Sequence, residues 1–294
     1  MAGTVEEVGP EVTQPLKKGD RVAGFSHGGN EVEPEDGAFG EYMVAKGDLL
    51  CKVPEGVSFE DAATLGVAIT TVGQGLYQKL QLPWPDKPSS EKQPILIYGG
   101  SSAMGTMGIQ FAKLSGYEVI TTCSPRNFDL VKSLGASAAF DYNSPTCGAD
   151  IRKHTNNALF YCWDTISEEG SAQICADALS SNTAPDGSKP KYGCILDVKF
   201  PRDDVEKTFT LGYTVTGESF NWPGKVFEAS RNDFEFGKKF WEVARKLLEE
   251  GKYKAHPLDV RPGGLNGVID GMEDMRQGKV SGKKLVYRVT ETQG

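Results

Sequence analysis

Apolar positions along the chain follow two rhythms, and the change from one to the other divides it. Up to about residue 65, short apolar runs sit between glycine-rich turns. AGTVEEVG, KKGDRVAGF, GAFGEYMVA and LLCKVPEG predict brief strands of the kind that build part of a β-barrel. Between residues 93 and 216, compact apolar runs alternate with stretches of helical period, the pattern of βαβ units and a parallel sheet. Strands are predicted over 95–98, 118–123, 138–142, 159–163 and 193–198. Between the first two, Met104, Met107, Phe111, Ala112 and Ser115 fall on one helical face, and Gly116 stands where a C-cap belongs. A second helix spans 127–134 and stops at Gly135. Beyond residue 216 come a long amphipathic helix over 233–250, a short one over 265–277 and a last strand over 284–289, with Pro- or polar-rich loops at 82–93 and 180–191. The expected fold is α/β: residues 66–220 a Rossmann-type, doubly wound parallel sheet, and residues 1–65 with 221–294 an incomplete β-barrel.

The segment ILIYGGSSAMGTMGIQFAKLSGYEVITTCSPRN gives that sheet a chemistry. A buried strand runs into a glycine turn and then a helix, Gly100-x-Ser102-x-x-Gly105, which leaves the first helical amides available to a pyrophosphate. The plainer alternative is a tight turn whose small residues serve packing alone. An NAD site places Asp or Glu near the end of the second strand; this chain has Cys123, Ser124, Pro125, Arg126 and Asn127. A hydroxyl, an amide and a guanidinium can donate to a 2′-phosphate that a carboxylate would repel, so NADPH is favoured. Ser124 also suits the N-cap of the second helix with Pro125 at its first position, a role compatible with phosphate binding.

Charge and composition narrow the classes. A formal net charge of −8 over 294 residues leaves no basic excess for a nucleic acid. No apolar run approaches the roughly 20 residues of a membrane span, and MAGTVEEVGP lacks a signal pattern, so a cytoplasmic location is expected. The cysteines show no C-x-x-C spacing and read as reduced, mostly buried thiols.

AGTVEEVG, KKGDRVAGF, GAFGEYMVA, VPEGVSFEDAATL, the glycine turn and SGKKLVYRV together resemble the medium-chain dehydrogenase/reductase superfamily over essentially the whole chain. CSPRNFDLVKSLGA, FDY and LGYTVTGES look most like its fungal trans-acting enoyl reductases of polyketide pathways. The resemblance implies a GroES-like barrel beside the Rossmann domain. It implies NADPH contacts at Ser101, Ser102, Ala103 and Met104 for the pyrophosphate, and at Ser124, Pro125, Arg126 and Asn127 for the 2′-phosphate. Tyr142 would lie near the adenosine ribose, Leu196 and Asp197 beside the nicotinamide, and Val280 and Ser281 would return from the C-terminal strand. Leu211, Gly212, Tyr213, Thr214 and Val215 would line the acyl pocket. The implied reaction is reduction of an enoyl thioester presented by the acyl carrier domain of a polyketide synthase. A stand-alone quinone or alkenal reductase and a non-catalytic NADPH-binding form are the alternatives. Thr70 and Thr71, in AITTVG, are candidate oxyanion or cofactor-amide partners or else helix packing; no side chain carries a proton-donor motif.

In the superfamily AGTVEEVG follows earlier barrel strands, whereas here Met1 precedes it directly, so NADPH binding is expected to survive and turnover to suffer. Many relatives are zinc enzymes. The loop FSHGGNEVEPEDGAFGEY has no cysteine, His27 reads as a solvated turn residue, and His154 and His256 have no ligand-like neighbours; no metal site is expected.

Overall fold

The computed structural model describes residues 1–222 and 224–293. They form two compact units, Met1–Thr70 with Gly212–Gly294, and Thr71–Leu211. The sequence pattern set the changes at 65 and 220; helix α2 (Gly66–Val72) carries an unbroken period through the first crossover, so periodicity cannot mark it.

The first unit opens with an antiparallel sheet of β1 (Ala2–Thr4), β2 (Arg21–Gly24) and β3 (Leu50–Lys52), in that order. Val5, Val22 and Leu50 are buried together, and Ala23 and Val53 pack with Ala62 of helix α1 (Phe59–Ala63). Ser58 starts α1 by accepting the Asp61 N–H at 3.0 Å. GAFGEYMVA is not a strand. It makes one isolated bridge, Asp36 with Val44, and leaves Phe39 and Tyr42 78% and 75% exposed. Alternation describes a surface, but a strand also needs an edge to bond, and this run has none among the described residues.

The second unit begins with a π-helical turn, Gly73–Lys79, and continues into six parallel strands. They are β4 (Pro94–Tyr98), β5 (Glu118–Thr122), β6 (Ala138–Phe140), β7 (Tyr161–Asp164), β8 (Lys191–Cys194) and β9 (Glu206–Phe209), in the order β6-β5-β4-β7-β8-β9. Helices α3 (Ala103–Leu114), α4 (Phe128–Ser133), α5 (Cys147–His154) and α6 (Glu169–Ala178) connect them, making a doubly wound sheet whose direction of winding reverses between β4 and β7. α3 ends at Ser115, and Gly116 with φ +90° turns the chain away. The second helix enters through a 3-10 turn, Pro125–Asn127, before α4. At the centre, Trp163 of β7 is fully buried. A Cβ on Gly75 would reach its Nε1 at 2.5 Å, one on Gly108 its Cζ3 at 2.7 Å, and one on Gly193 its Cδ1 at 3.1 Å.

The strand expected over 193–198 lies earlier. β8 stops at Cys194 because the next N–H, of Ile195, donates to the Ser167 hydroxyl at 2.9 Å and leaves the ladder. β9, α5 and α6 were absent from the sequence pattern: β9 is a four-residue edge strand with a polar first half, and α6 is announced only by the reciprocal cap of Glu168 and Ser171.

The chain then returns to the first unit. β10 (Phe220–Trp222) and β11 (Lys225–Phe227) pair antiparallel, and the capped helix α7 (Arg231–Glu249) buries Gly237, Phe240, Trp241, Ala244 and Leu248. β12 (Leu258–Arg261) pairs parallel with β13 (Lys284–Tyr287), joined through α8 (Val268–Arg276). Among the described residues the unit's strands thus form a three-stranded sheet and two pairs, an open set and not a closed barrel. No helix among the described residues is long and apolar enough to cross a membrane.

Candidate functional site

Because all six strands of the second unit are parallel, the turns after β4, β5, β6, β7 and β8 emerge at one edge, with the glycine turn at the switch point. That turn is compressed. A Cβ on Gly100 would run into Thr121 Oγ1, and one on Gly105 into the Gly99 carbonyl oxygen, with the Gly100 Cα at 2.6 Å. The packing alternative is therefore real for Gly100 and Gly105. It does not exhaust the turn, because the backbone N–H groups of Ser101, Ala103 and Met104 have no acceptor among the described residues. Ser102 caps α3, its Oγ accepting the Gly105 N–H at 2.9 Å. Thr165 donates to the Tyr98 carbonyl at 2.8 Å, so in its 2.9 Å hydrogen bond with Ser102 the latter is the donor.

After β5, Ser124 precedes the 3-10 turn without capping it; its hydroxyl shares a 3.1 Å hydrogen bond with the hydroxyl of Tyr142, from the turn after β6. Two residues assigned by different parts of the sequence are thereby brought together. Arg126 is exposed, and its guanidinium has no ion pair or hydrogen bond among the described residues. Asp141, beside Tyr142, accepts from the N–H and the amide of Asn143, both at 2.9 Å. Burial, with Asp141 adding to it, pushes the Cys123 thiol up to about 11, so it stays protonated. Leu196 is exposed after β8, and Asp197 pairs with Lys207 at 2.7 Å.

Amides free at a helix N-terminus, a cradle that any Cβ would fill, and a hydroxyl and a guanidinium where a carboxylate would select NAD all fit a nicotinamide dinucleotide.

Of the remaining candidates, Thr71 is buried on α2. Thr70, Gly212, Tyr213, Thr214, Val215, Val280 and Ser281 belong to the first unit, and Leu211 ends the second. Thr70 and Val215 are core residues: Thr70 Oγ1 accepts the Trp241 indole N–H at 3.1 Å, and Val215 fills the space beside Gly237. Tyr213 stacks on His27, ring centres 4.0 Å apart, within a group that includes Phe25, Phe220 and Trp222. His27 is thus not solvated; it is 6% exposed, and burial holds its pKa below the usual value, partly offset by Asp36. Val280 and Ser281 lie half-buried on the segment leading into β13. Among the described residues, no three His, Cys, Asp or Glu stand together to hold a metal.

Sequence reasoning missed the turn after β7, where Asp164, Thr165 and Ser167 gather hydrogen bonds from three segments. The available signal was an acidic residue closing a buried strand in FYCWDT.

The alcohol dehydrogenase GroES-like domain family matches residues 1–55. The trans-enoyl reductase resD of Aspergillus sclerotiorum is 48% identical across 98% of this chain and 84% of its own length. The chain belongs to the trans-enoyl reductases. Another such enzyme, TOXD of Cochliobolus carbonum, is 51% identical across 81% of this chain and 78% of its own. Among solved structures, an alcohol dehydrogenase superfamily protein from Novosphingobium aromaticivorans superposes with a TM-score of 0.74 at 21% identity, covering 94% of this chain and 76% of that one. The CurK enoyl reductase does so at 0.69 and 19%, covering 97% and 77%. As a trans-enoyl reductase, the chain is a medium-chain dehydrogenase/reductase, an oxidoreductase of a superfamily built around a nicotinamide cofactor.

Proposed function

We propose that the second unit binds NADPH and that the chain reduces the carbon–carbon double bond of an enoyl thioester held on the acyl carrier domain of a polyketide synthase, acting in the cytoplasm. The observation that carries the cofactor choice is the end of β5. The Ser124 hydroxyl meets Tyr142 there instead of capping a helix, and the Arg126 guanidinium stands without a partner among the described residues. Support for the reaction comes from the names of relatives 48% and 51% identical to the chain.

In this reading the amides of Ser101, Ala103 and Met104 hold the pyrophosphate, with Ser102 fixing the turn. Ser124, Arg126 and Asn127 read the 2′-phosphate, with Pro125 setting the turn, and Tyr142 lies against the ribose. When bound, the dinucleotide supplies hydride. Leu196 and Asp197 are assigned to its nicotinamide side, and the segment Leu211, Gly212, Tyr213 and Thr214 to the acyl chain. Val215 would support that segment from the core, and Thr70 and Thr71 would support α2. The residues' task is positioning and the stabilisation of charge on the thioester oxygen.

NADPH should bind at least about tenfold tighter than NADH, a difference of ~1.4 kcal/mol. Arg126→Ala should bring the two affinities together, because the charge-assisted contacts to the 2′-phosphate go with the guanidinium. Calorimetric titration of both nucleotides into both proteins is the test; equal affinities in the unaltered protein would sink the cofactor assignment. Oxidation of NADPH followed with an acyl-carrier-bound enoyl thioester tests the reaction.

A further inference from the structure

Asp164 closes β7 beside the switch point and is fully buried. Its Oδ1 accepts the N–H groups of Ile166 and Ser167 at 3.0 and 2.9 Å. Its Oδ2 accepts the hydroxyls of Ser171 on α6 and Tyr192 on β8, at 2.6 and 2.8 Å. No lysine or arginine pairs with it among the described residues. A carboxylate taken so far from water is costly unless every lone pair is matched, and all four donors here are neutral.

Those donors determine where the backbone can go. Ser167 adopts a positive φ of 61°, a conformation unfavourable for a non-glycine residue that persists only when its surroundings impose it. Its hydroxyl donates to the Asp164 carbonyl and accepts the Ile195 N–H, both at 2.9 Å, which ends β8 and turns Leu196 and Asp197 outward. On the other side, Thr165 is hydrogen-bonded to Ser102 of the glycine turn. Two adjacent strand-end turns, 165–167 and 195–197, thus take their shape from one buried carboxylate.

We propose that Asp164 is a positioning residue for the nicotinamide end of the bound dinucleotide, acting through Ser167 on the backbone of both turns; this rests on the dinucleotide reading above. The adenosine end meets other groups, at the turns after β5 and β6, so the two ends of the ligand can be read separately.

The experiment titrates the full chain with NADPH and with ADP-ribose 2′-phosphate, which lacks nicotinamide, in the unaltered protein and in Asp164→Asn and Ser167→Ala. Each substitution should weaken NADPH about tenfold while leaving ADP-ribose 2′-phosphate within about twofold. If Asp164→Asn does not fold, Tyr192→Phe, which removes one of the four donors and keeps the ring stacked on Phe200, takes its place. Equal weakening of both ligands would show that the network only holds the fold together and would overturn the proposal, as would unchanged NADPH affinity in the folded variants. An unaltered protein that binds neither ligand would overturn the dinucleotide reading, and this proposal with it.

Discussion

Gly105→Ala is expected to weaken NADPH binding by about a hundredfold and to lower folding stability by roughly 3 kcal/mol. The added methyl would occupy the place of the Gly99 carbonyl oxygen and approach the Gly100 Cα at 2.6 Å. Both are backbone atoms, so no rotamer change relieves the clash, and the first turn of α3 has to lift off the end of β4. That movement displaces the N–H groups of Ser101, Ala103 and Met104 from their common focus and strains the Gly105 N–H bond to Ser102. Gly108, one turn further along, is the control. Alanine there meets the Trp163 side chain at 2.7 Å, so it should lose stability while keeping its affinity for nucleotide once folded. Urea unfolding and NADPH titration of both variants separate the effects. Wild-type affinity in Gly105→Ala would mean that the turn does not hold the pyrophosphate.

Acid should destabilise the protein well above the range of ordinary carboxylates. His256 is 2% exposed, and burial, helped by the charge of Lys284, lowers its pKa to about 4 from an ordinary 6.5. The folded state therefore keeps this imidazole neutral, while the unfolded chain protonates it from about pH 6.5 downward. Its contribution is complete above pH 6.5 and is lost as the pH falls toward 4, at about 1.4 kcal/mol per unit and some 3 kcal/mol in all. His27, lowered by burial as well, acts in the same direction. Urea midpoints measured between pH 7.5 and 4.5 should fall steadily, and His256→Gln should flatten the slope. A profile flat to pH 4.5 would show that His256 is accessible to protons in the native state.

The parts of the fold legible in the sequence are those with a local cause. The run from β4 through α3 to β5 announces itself because an apolar strand, a small-residue turn and a helical stripe are each visible within a few residues. Gly116 and Gly135, both at positive φ, mark helix ends for the same reason. Where partners are distant, the reading failed. β8 was placed late because CILDV continues to look apolar, while the Ile195 N–H is in fact taken by a hydroxyl 28 residues earlier. GAFGEYMVA has a strand's alternation without an edge to join. His27 looked solvated because nothing near it in sequence announces that Tyr213 will cover it. The candidate site divides along the same line. Gly100, Ser102 and Arg126 could be found from spacing and charge, but the Ser124–Tyr142 contact and the Asp164 network are created by strand order, which no short window contains.

Trp163 and the three glycines around it also constrain how this protein can change. Gly75 and Gly108 lie far apart in sequence, yet each is held to hydrogen by the same indole, while Gly193 is crowded by it at 3.1 Å and by Leu80 at 3.3 Å. The harm done by alanine at either of the first two is therefore conditional on that ring. In a Trp163→Leu background, itself destabilised by the void it leaves, alanine at 75 or 108 should turn from harmful to neutral or restorative. The order in which such substitutions are acquired then sets the stability of each intermediate: alanine at 75 or 108 is costly while the tryptophan is present, and the tryptophan is costly to regain once alanine is there.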